Sequence, residues 1–206
     1  TDFLREPPPA IRGRLRTVEF PSGAIILEQG AHPDYVYILT SGEARVFSLT
    51  LNGSCYLEHI YAAGELFGEF EALNERPYLC SIQASGPCQA VRIEDADFLA
   101  WMKADSDFAL FISRQMADKL YRSSLDAVVN IVYPLRYRVL YFLWNVAQNG
   151  AQEVRKEDLI AGLGSNERSV NRILRDLING LLIEYDRGVI TIPDLDELVR
   201  DMTRYE

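Results

Sequence analysis

Six glycines, at positions 23, 30, 42, 53, 64 and 68, cut the stretch from Val18 to Ile93 into short apolar runs. The runs AIILEQG, YVYILTSGEARVFSL and CQAVRI are rich in β-branched and aromatic residues. Such side chains favour pleated backbone, and glycine permits the tight reversals between strands. Short strands at this spacing fold as an antiparallel roll or barrel. Within SLTLNGSCYLEHI, the Asn52-Gly53 pair supplies the turn of a hairpin.

From about Asp95 the hydrophobic period changes from that of strands to that of a helix. Phe108, Ile112, Met116 and Leu120 step by four, and Leu125, Val128 and Val132 extend the stripe. Arg114, Asp118 and Arg122 lie on another face. A stripe this long outruns one small barrel, which favours a dimer helix, with Phe108, Ile112, Met116, Leu120, Leu125 and Val128 as its contact residues, over a helix packed on its own roll. Three domains follow: a sensing roll over 1–105, a linker and dimerisation helix over 106–132, and a third domain over 133–206. The class is α+β, with an N-terminal antiparallel β-roll of jelly-roll type.

Beyond Val132, Pro134 sits where an N1 proline starts a helix, and LRYRVLYFLWNVAQNG ends at Gly150 as its cap. Then VRKEDLIAGLG, SNERSVNRILRDLINGLL and IEYDRGVITI read as helix, helix and β-hairpin. The middle part has helix-turn-helix spacing. Leu159 and Leu163 bury the first helix, and Gly162 and Gly164 allow the turn. Ser165 is the expected N-cap of the second helix, with Arg168 at its third position. Val170, Ile173, Leu174 and Leu177 bury the inner face of that helix. Asn166, Glu167, Arg168, Ser169, Arg172 and Arg175 remain outside. From 165 to 175 there are three arginines and one acid, a local charge of +2 in a chain of net −9. A helix of this size enters the major groove of double-stranded DNA, where arginine pairs with guanine O6 and N7. The hairpin 182–192, with Arg187 at its tip, would lie as a wing against the backbone.

The bulk numbers exclude other classes. Residues 1–105 carry 8 Lys/Arg against 15 Asp/Glu, so a nonspecific nucleic-acid coat is disfavoured. No apolar run approaches the roughly 18 residues of a membrane span and no signal peptide is visible, which places the chain in the cytoplasm. Cys55, Cys80 and Cys88 form no CxxC pair and their number is odd, against a disulfide framework, a structural zinc site or an iron–sulfur cluster. His32 and His59 have no haem-ligand spacing. No nucleophile–base pair, metal cluster or phosphate-binding glycine loop survives inspection, so neither an enzyme, a metal nor a cofactor is expected. The even balance of six positive and six negative residues across 155–188 leaves a second class open: a ligand-binding or scaffolding protein whose winged helix meets protein.

PSGAIILEQGAHPDYVYILTSGEARVF and YAAGELFGE in the N-terminal half, with SNERSVNRIL in the C-terminal half, resemble the Crp/Fnr family of bacterial transcription regulators over nearly the whole length. The resemblance implies a cyclic-nucleotide-type roll, a homodimer joined through the long helix, and a DNA-binding winged helix. It implies double-stranded DNA, RNA polymerase and a small-molecule effector as partners. Arg172 matches the family's recurrent recognition-helix arginine, with Glu167 and Arg168 beside it. Asn166 and Ser169 fit phosphate or base-edge contacts. Members that bind cyclic AMP carry a glutamate after FG for the ribose hydroxyl, and later Arg followed by Ser or Thr for the cyclic phosphate. In FGEFEALNERPYL, Glu69 is in place and Arg76 is present, which makes these two the candidate effector pocket. Pro77 follows, and proline has neither an N–H nor a hydroxyl. Two lost donors at about 1.5–3 kcal/mol each weaken phosphate binding on the order of a hundredfold or more. The resemblance therefore implies a regulator with an effector other than cyclic AMP. Three readings stay open: an apolar or aromatic effector between roll and long helix, no small ligand at all, or Glu69 and Arg76 simply holding the short helix together.

Overall fold

The computed structural model describes residues 7–51, 53–148 and 152–205. Asn52 and Gly150, expected as a hairpin turn and a helix cap, lie outside the described residues. The chain divides into two compact units, Thr1–Tyr121 and Arg122–Glu206.

The first unit holds two four-stranded antiparallel sheets. One contains β1 (Arg16–Phe20), β8 (Cys88–Glu94), β3 (Tyr35–Ser41) and β6 (Leu66–Phe67), in that order. The other contains β2 (Ile25–Leu27), β7 (Ser81–Ala84), β4 (Ala44–Leu49) and β5 (Cys55–Tyr61). β4 and β5 form the expected hairpin, with Leu49 opposite Cys55. β3 explains why its run YVYIL is apolar without alternation: it is covered on both faces. Tyr37 and Leu39 point to a core shared with β2, β4 and β7, where Tyr37 stacks on Phe67 at 5.4 Å. Val36 and Ile38 point the other way, against helices.

Those helices are α1 (Pro9–Arg12), α2 (Glu69–Asn74), α3 (Asp95–Ala104) and the first half of α4 (Ser106–Val132). The helical stretch expected from about Asp95 is broken at Asp105, whose backbone is extended. Its Oδ1 accepts the N–H groups of Asp107 and Phe108 at 3.0 and 3.1 Å, so α4 starts with an aspartate cap. Trp101 of α3 then stacks on Phe108 of α4 at 3.9 Å, both sealed from solvent.

The second unit packs α5 (Leu135–Gln148), α6 (Lys156–Leu163), α7 (Glu167–Asn179) and α8 (Leu195–Met202) on a small sheet. The sheet orders β10 (Glu184–Asp186), β11 (Val189–Thr191) and β9 (Glu153–Arg155). Pro134 precedes α5 rather than opening it, and its carbonyl accepts the Arg138 N–H at 3.2 Å. Val154, read above as part of a helix, is a strand residue paired with Ile190. Three residues are too few to show a strand's period. α8 was not expected. Asp194 caps it by accepting the Glu197 N–H at 3.1 Å, and its Asp201 takes Arg136 of α5 at 2.6 Å.

Candidate nucleic-acid interface and roll site

α6, a tight turn and α7 form the helix-turn-helix. Gly164 ends α6 in the left-handed conformation, as expected for a turn glycine. Gly162 has a different task from the one its sequence suggested. It lies inside α6, and a Cβ there would come 2.3 Å from the Phe142 ring of α5. It allows two helices to approach rather than the chain to turn.

The cap also differs by one residue. Asn166 caps α7, its Oδ1 accepting the Arg168 N–H at 2.9 Å, while the Ser165 hydroxyl donates back to the Leu163 carbonyl at 3.2 Å. Arg168 is therefore the second helical residue after the Asn166 cap. Arg138 of α5, which sequence reasoning missed, secures the turn from behind. It donates to the Leu163 carbonyl at 2.5 Å and to Asn130 Oδ1 at 2.9 Å. An arginine inside an amphipathic helix gives no sign that it caps a different helix.

Val170, Ile173, Leu174 and Leu177 are buried, as their spacing required. Arg168, Arg172 and Arg175 stand at i, i+4 and i+7 and are exposed, which puts them in one stripe along α7. Among the described residues none of the three makes an ion pair, so their charge faces outward. Glu167 is exposed and shared with Lys156 at 3.8 Å; Ser169 is half-buried. Arg187 and Gly188 both have positive φ, 46° and 92°, which turns β10 into β11 and leaves the Arg187 side chain 92% exposed at the tip.

In the roll, Glu69 and Arg76 lie at opposite ends of α2. Glu69 opens α2 and its side chain is 0% exposed; Arg76 lies beyond the far end of α2, exposed. The backbone N–H groups of this segment are already used. The Arg76 N–H goes to the Glu71 carbonyl at 3.3 Å, the Tyr78 N–H to Ala31 at 2.9 Å and the Leu79 N–H to the Glu71 carboxylate at 3.1 Å. Pro77 has none. No N–H from 76 to 79 is left for a phosphate. Tyr78 anchors this segment by donating its hydroxyl to the Tyr35 carbonyl at 2.9 Å, and burial pushes that phenol up to about 12.

The partner of Glu69 is Lys119, on α4. The Lys119 ammonium donates to Glu69 Oε1 at 2.6 Å and to the Leu66 carbonyl at 2.5 Å, with its side chain 9% exposed. It also lies 4.8 Å from the Tyr61 ring centroid and 5.4 Å from that of Phe70. Burial pushes the Glu69 carboxyl up from its ordinary range, while Lys119 pulls it back. Gly68, just before it, has φ +88°, and a Cβ there would meet the Tyr35 carbonyl at 2.7 Å. The glycine thus lets α2 start against β3 and carries Glu69 inward. Sequence reasoning placed Lys119 on no list, because a lone lysine on a helix of mixed polarity reads as solvated.

The stripe along α4 is not one surface. Phe108 and Ile112 are fully buried in the roll's own core, out of reach of a second chain, and Met116 packs against that core while half-buried. A helix has 3.6 residues per turn, so a line of steps of four drifts around it. Leu120, Leu125 and Val128 are exposed, with Tyr121 and Val132. Tyr121, Leu125, Val128 and Val132 alternate steps of four and three, the spacing of a coiled-coil seam.

Other chemistry is quiet. Burial, then the Glu58 carboxylate beside it at 3.0 Å, push the Cys80 thiol up to about 12, which keeps it protonated and a poor nucleophile. Among the described residues no three His, Cys, Asp or Glu side chains gather as for a metal ion, and no helix is long and apolar enough to cross a membrane.

Residues 17–105 match the cyclic nucleotide-binding domain family. The cyclic AMP receptor protein of Thermus thermophilus is 25% identical over 84% of this chain and 82% of its own length. A CRP-like cAMP-activated global transcriptional regulator of Mycobacterium tuberculosis is 23% identical over 93% of this chain and 90% of its own. A transcriptional regulator of the crp/fnr family from Eubacterium rectale superposes with a TM-score of 0.82 at 20% identity, covering 98% of each chain. The second and third of these are transcriptional regulators by name. Residues 17–105 are thus similar to a cyclic nucleotide-binding domain, and along nearly its whole length the chain has the fold of a solved regulator of the crp/fnr family.

Proposed function

We propose that the chain is a sequence-specific DNA-binding transcription regulator that acts as a homodimer and does not respond to cyclic AMP. The observation that carries this reading is the outward stripe of Arg168, Arg172 and Arg175 on a helix whose other face is fully used by the core. Charge in a net-acidic chain is concentrated where a major-groove helix would need it. Arg172 reads a base edge, Asn166 and Ser169 contact phosphate or base edges at the helix start, and Arg187 meets the backbone from the wing. The exposed seam of Tyr121, Leu125, Val128 and Val132 on α4 fits a second copy, and two copies of α7 about 34 Å apart would read a pseudo-palindrome.

Two of the relatives, a cyclic AMP receptor protein and a cAMP-activated regulator, do not carry their named ligand over to this chain. Its Glu69 is taken by Lys119 and its phosphate segment has no free backbone N–H to offer. The reading is tested by gel shift on DNA from upstream of the chain's own gene at two salt concentrations, with and without cyclic AMP. It expects a discrete dimer complex that survives competitor DNA and is unchanged by the nucleotide. Binding that is lost to any competitor at moderate salt would favour a winged helix that meets protein instead, and cyclic AMP binding at low micromolar concentration would overturn the reading of the roll.

A further inference from the structure

The corner of β5, β6 and α2 surrounds the Lys119 ammonium. It supplies one carboxylate, Glu69, one backbone carbonyl, Leu66, and two ring faces, Tyr61 and Phe70. Each ring lies within the roughly 6 Å over which an aromatic face attracts a cation. A primary ammonium has three donors, and two of them end on oxygens at 2.6 and 2.5 Å. Glu69 Oε2 is buried and finds no hydrogen-bond partner among the described residues. An ion pair held this way is not an economical source of stability, since burying both charges costs about as much as their attraction returns. What it does provide is position: it joins α4 to the roll at one point, 50 residues away in sequence from the carboxylate.

We propose that Lys119 is a tethered ligand of the roll. Its ammonium fills the site and fixes α4 without any added small molecule, so operator binding needs no effector. The same site, once Lys119 is shortened, takes a primary alkylammonium ion. The first part rests on the DNA-binding reading above; the second does not.

The test uses the full chain with Trp144→Phe, so that Trp101, sealed in the roll's core, is the one remaining tryptophan. In Lys119→Ala the missing atoms are those of n-propylammonium. The roll of Lys119→Ala should unfold at a lower temperature than wild type by Trp101 fluorescence. Millimolar n-propylammonium chloride should raise it in a saturable way. n-Propanol, which has the shape without the charge, should not, and neither should sodium chloride at equal chloride. Wild type should show no saturable response, because its site is full. Operator affinity of Lys119→Ala should fall roughly tenfold or more and recover with the amine, as expected when a bound group favours one of two conformations. An equal response of wild type and variant, an equal response to n-propanol, or unchanged operator affinity would each overturn the proposal. Lys119→Met keeps most of the apolar contact without the charge and covers the case in which the alanine variant does not fold: it should bind operator weakly and ignore the amine, and wild-type affinity would overturn the tether. If wild type itself binds no operator, the DNA-binding reading fails, while the Trp101 response still decides whether the site takes a cation.

Discussion

Replacing Lys119 by methionine removes a charge from beside a carboxylate that is sealed from solvent and pairs with no other cation among the described residues. Two routes are open to Glu69. It can stay ionised in the core, for which breaking a buried pair costs about 3–5 kcal/mol. Or it can take up a proton, which costs about 1.36 kcal/mol for each pH unit above its ordinary value of 4.5. The cheaper route wins. At pH 7.5 protonation costs about 4 kcal/mol, and at pH 5.0 less than about 1 kcal/mol. The neighbouring Glu71 adds to the upward push on Glu69. The sign follows from linkage. A carboxyl whose folded pKa lies above its unfolded one contributes its full stability below the unfolded value, and loses it as pH rises through the folded one. The loss in Lys119→Met should therefore grow between pH 5.0 and 7.5, by up to about 3 kcal/mol, since Glu69 of the wild type is itself shifted upward. Urea unfolding followed by Trp101 in the Trp144→Phe background reads the roll alone, since the two tryptophans lie in different units. Adding Glu69→Gln should remove most of the pH dependence. A loss under about 1 kcal/mol at pH 7.5, or an equal loss at both pH values, would refute the argument that the pair is buried and mutually compensating.

Gly162→Ala tests the approach of α6 to α5: a Cβ 2.3 Å from the Phe142 ring should destabilise the second unit by about 1–3 kcal/mol, read as faster amide exchange in α5 and α6, whereas a free helix position would gain up to about 1 kcal/mol. Val128→Asp, at a site 52% exposed in the single chain, should leave the monomer folded and lower the sedimentation mass from dimer to monomer; an unchanged dimer would move the interface off this seam. Arg187→Ala should weaken binding to all sequences alike and reduce the slope of log K against log salt by about 0.9 per protomer, and a sequence-dependent loss would make Arg187 a base reader instead.

Much of this fold is legible from local pattern. Five of the six glycines separate short strands, Gly68 instead opening α2, and α7 shows its buried face by spacing alone. What the pattern hides are features set by distant partners. Val154 is a strand residue because Ile190 pairs with it, Gly162 is needed because Phe142 is there, and Arg138 caps a helix it does not belong to. The stripe from Phe108 to Val128 carries the same warning: its spacing shows that one side of α4 is apolar, not whether its own roll or another chain covers it. At the roll site, Pro77 announced that a donor was missing. Nothing in the local sequence announced that Lys119 had taken the carboxylate.

The central claim, that the outer face of α7 reads DNA sequence, is tested most directly by Arg172→Ala. Operator selected from random DNA by the wild-type chain would be titrated with both proteins at two salt concentrations. The account predicts that the variant loses at least about 1–3 kcal/mol of specific binding, keeps its nonspecific affinity, and relaxes its preference at one base pair in each half-site. Full operator affinity in Arg172→Ala, with sequence preference intact, would contradict it.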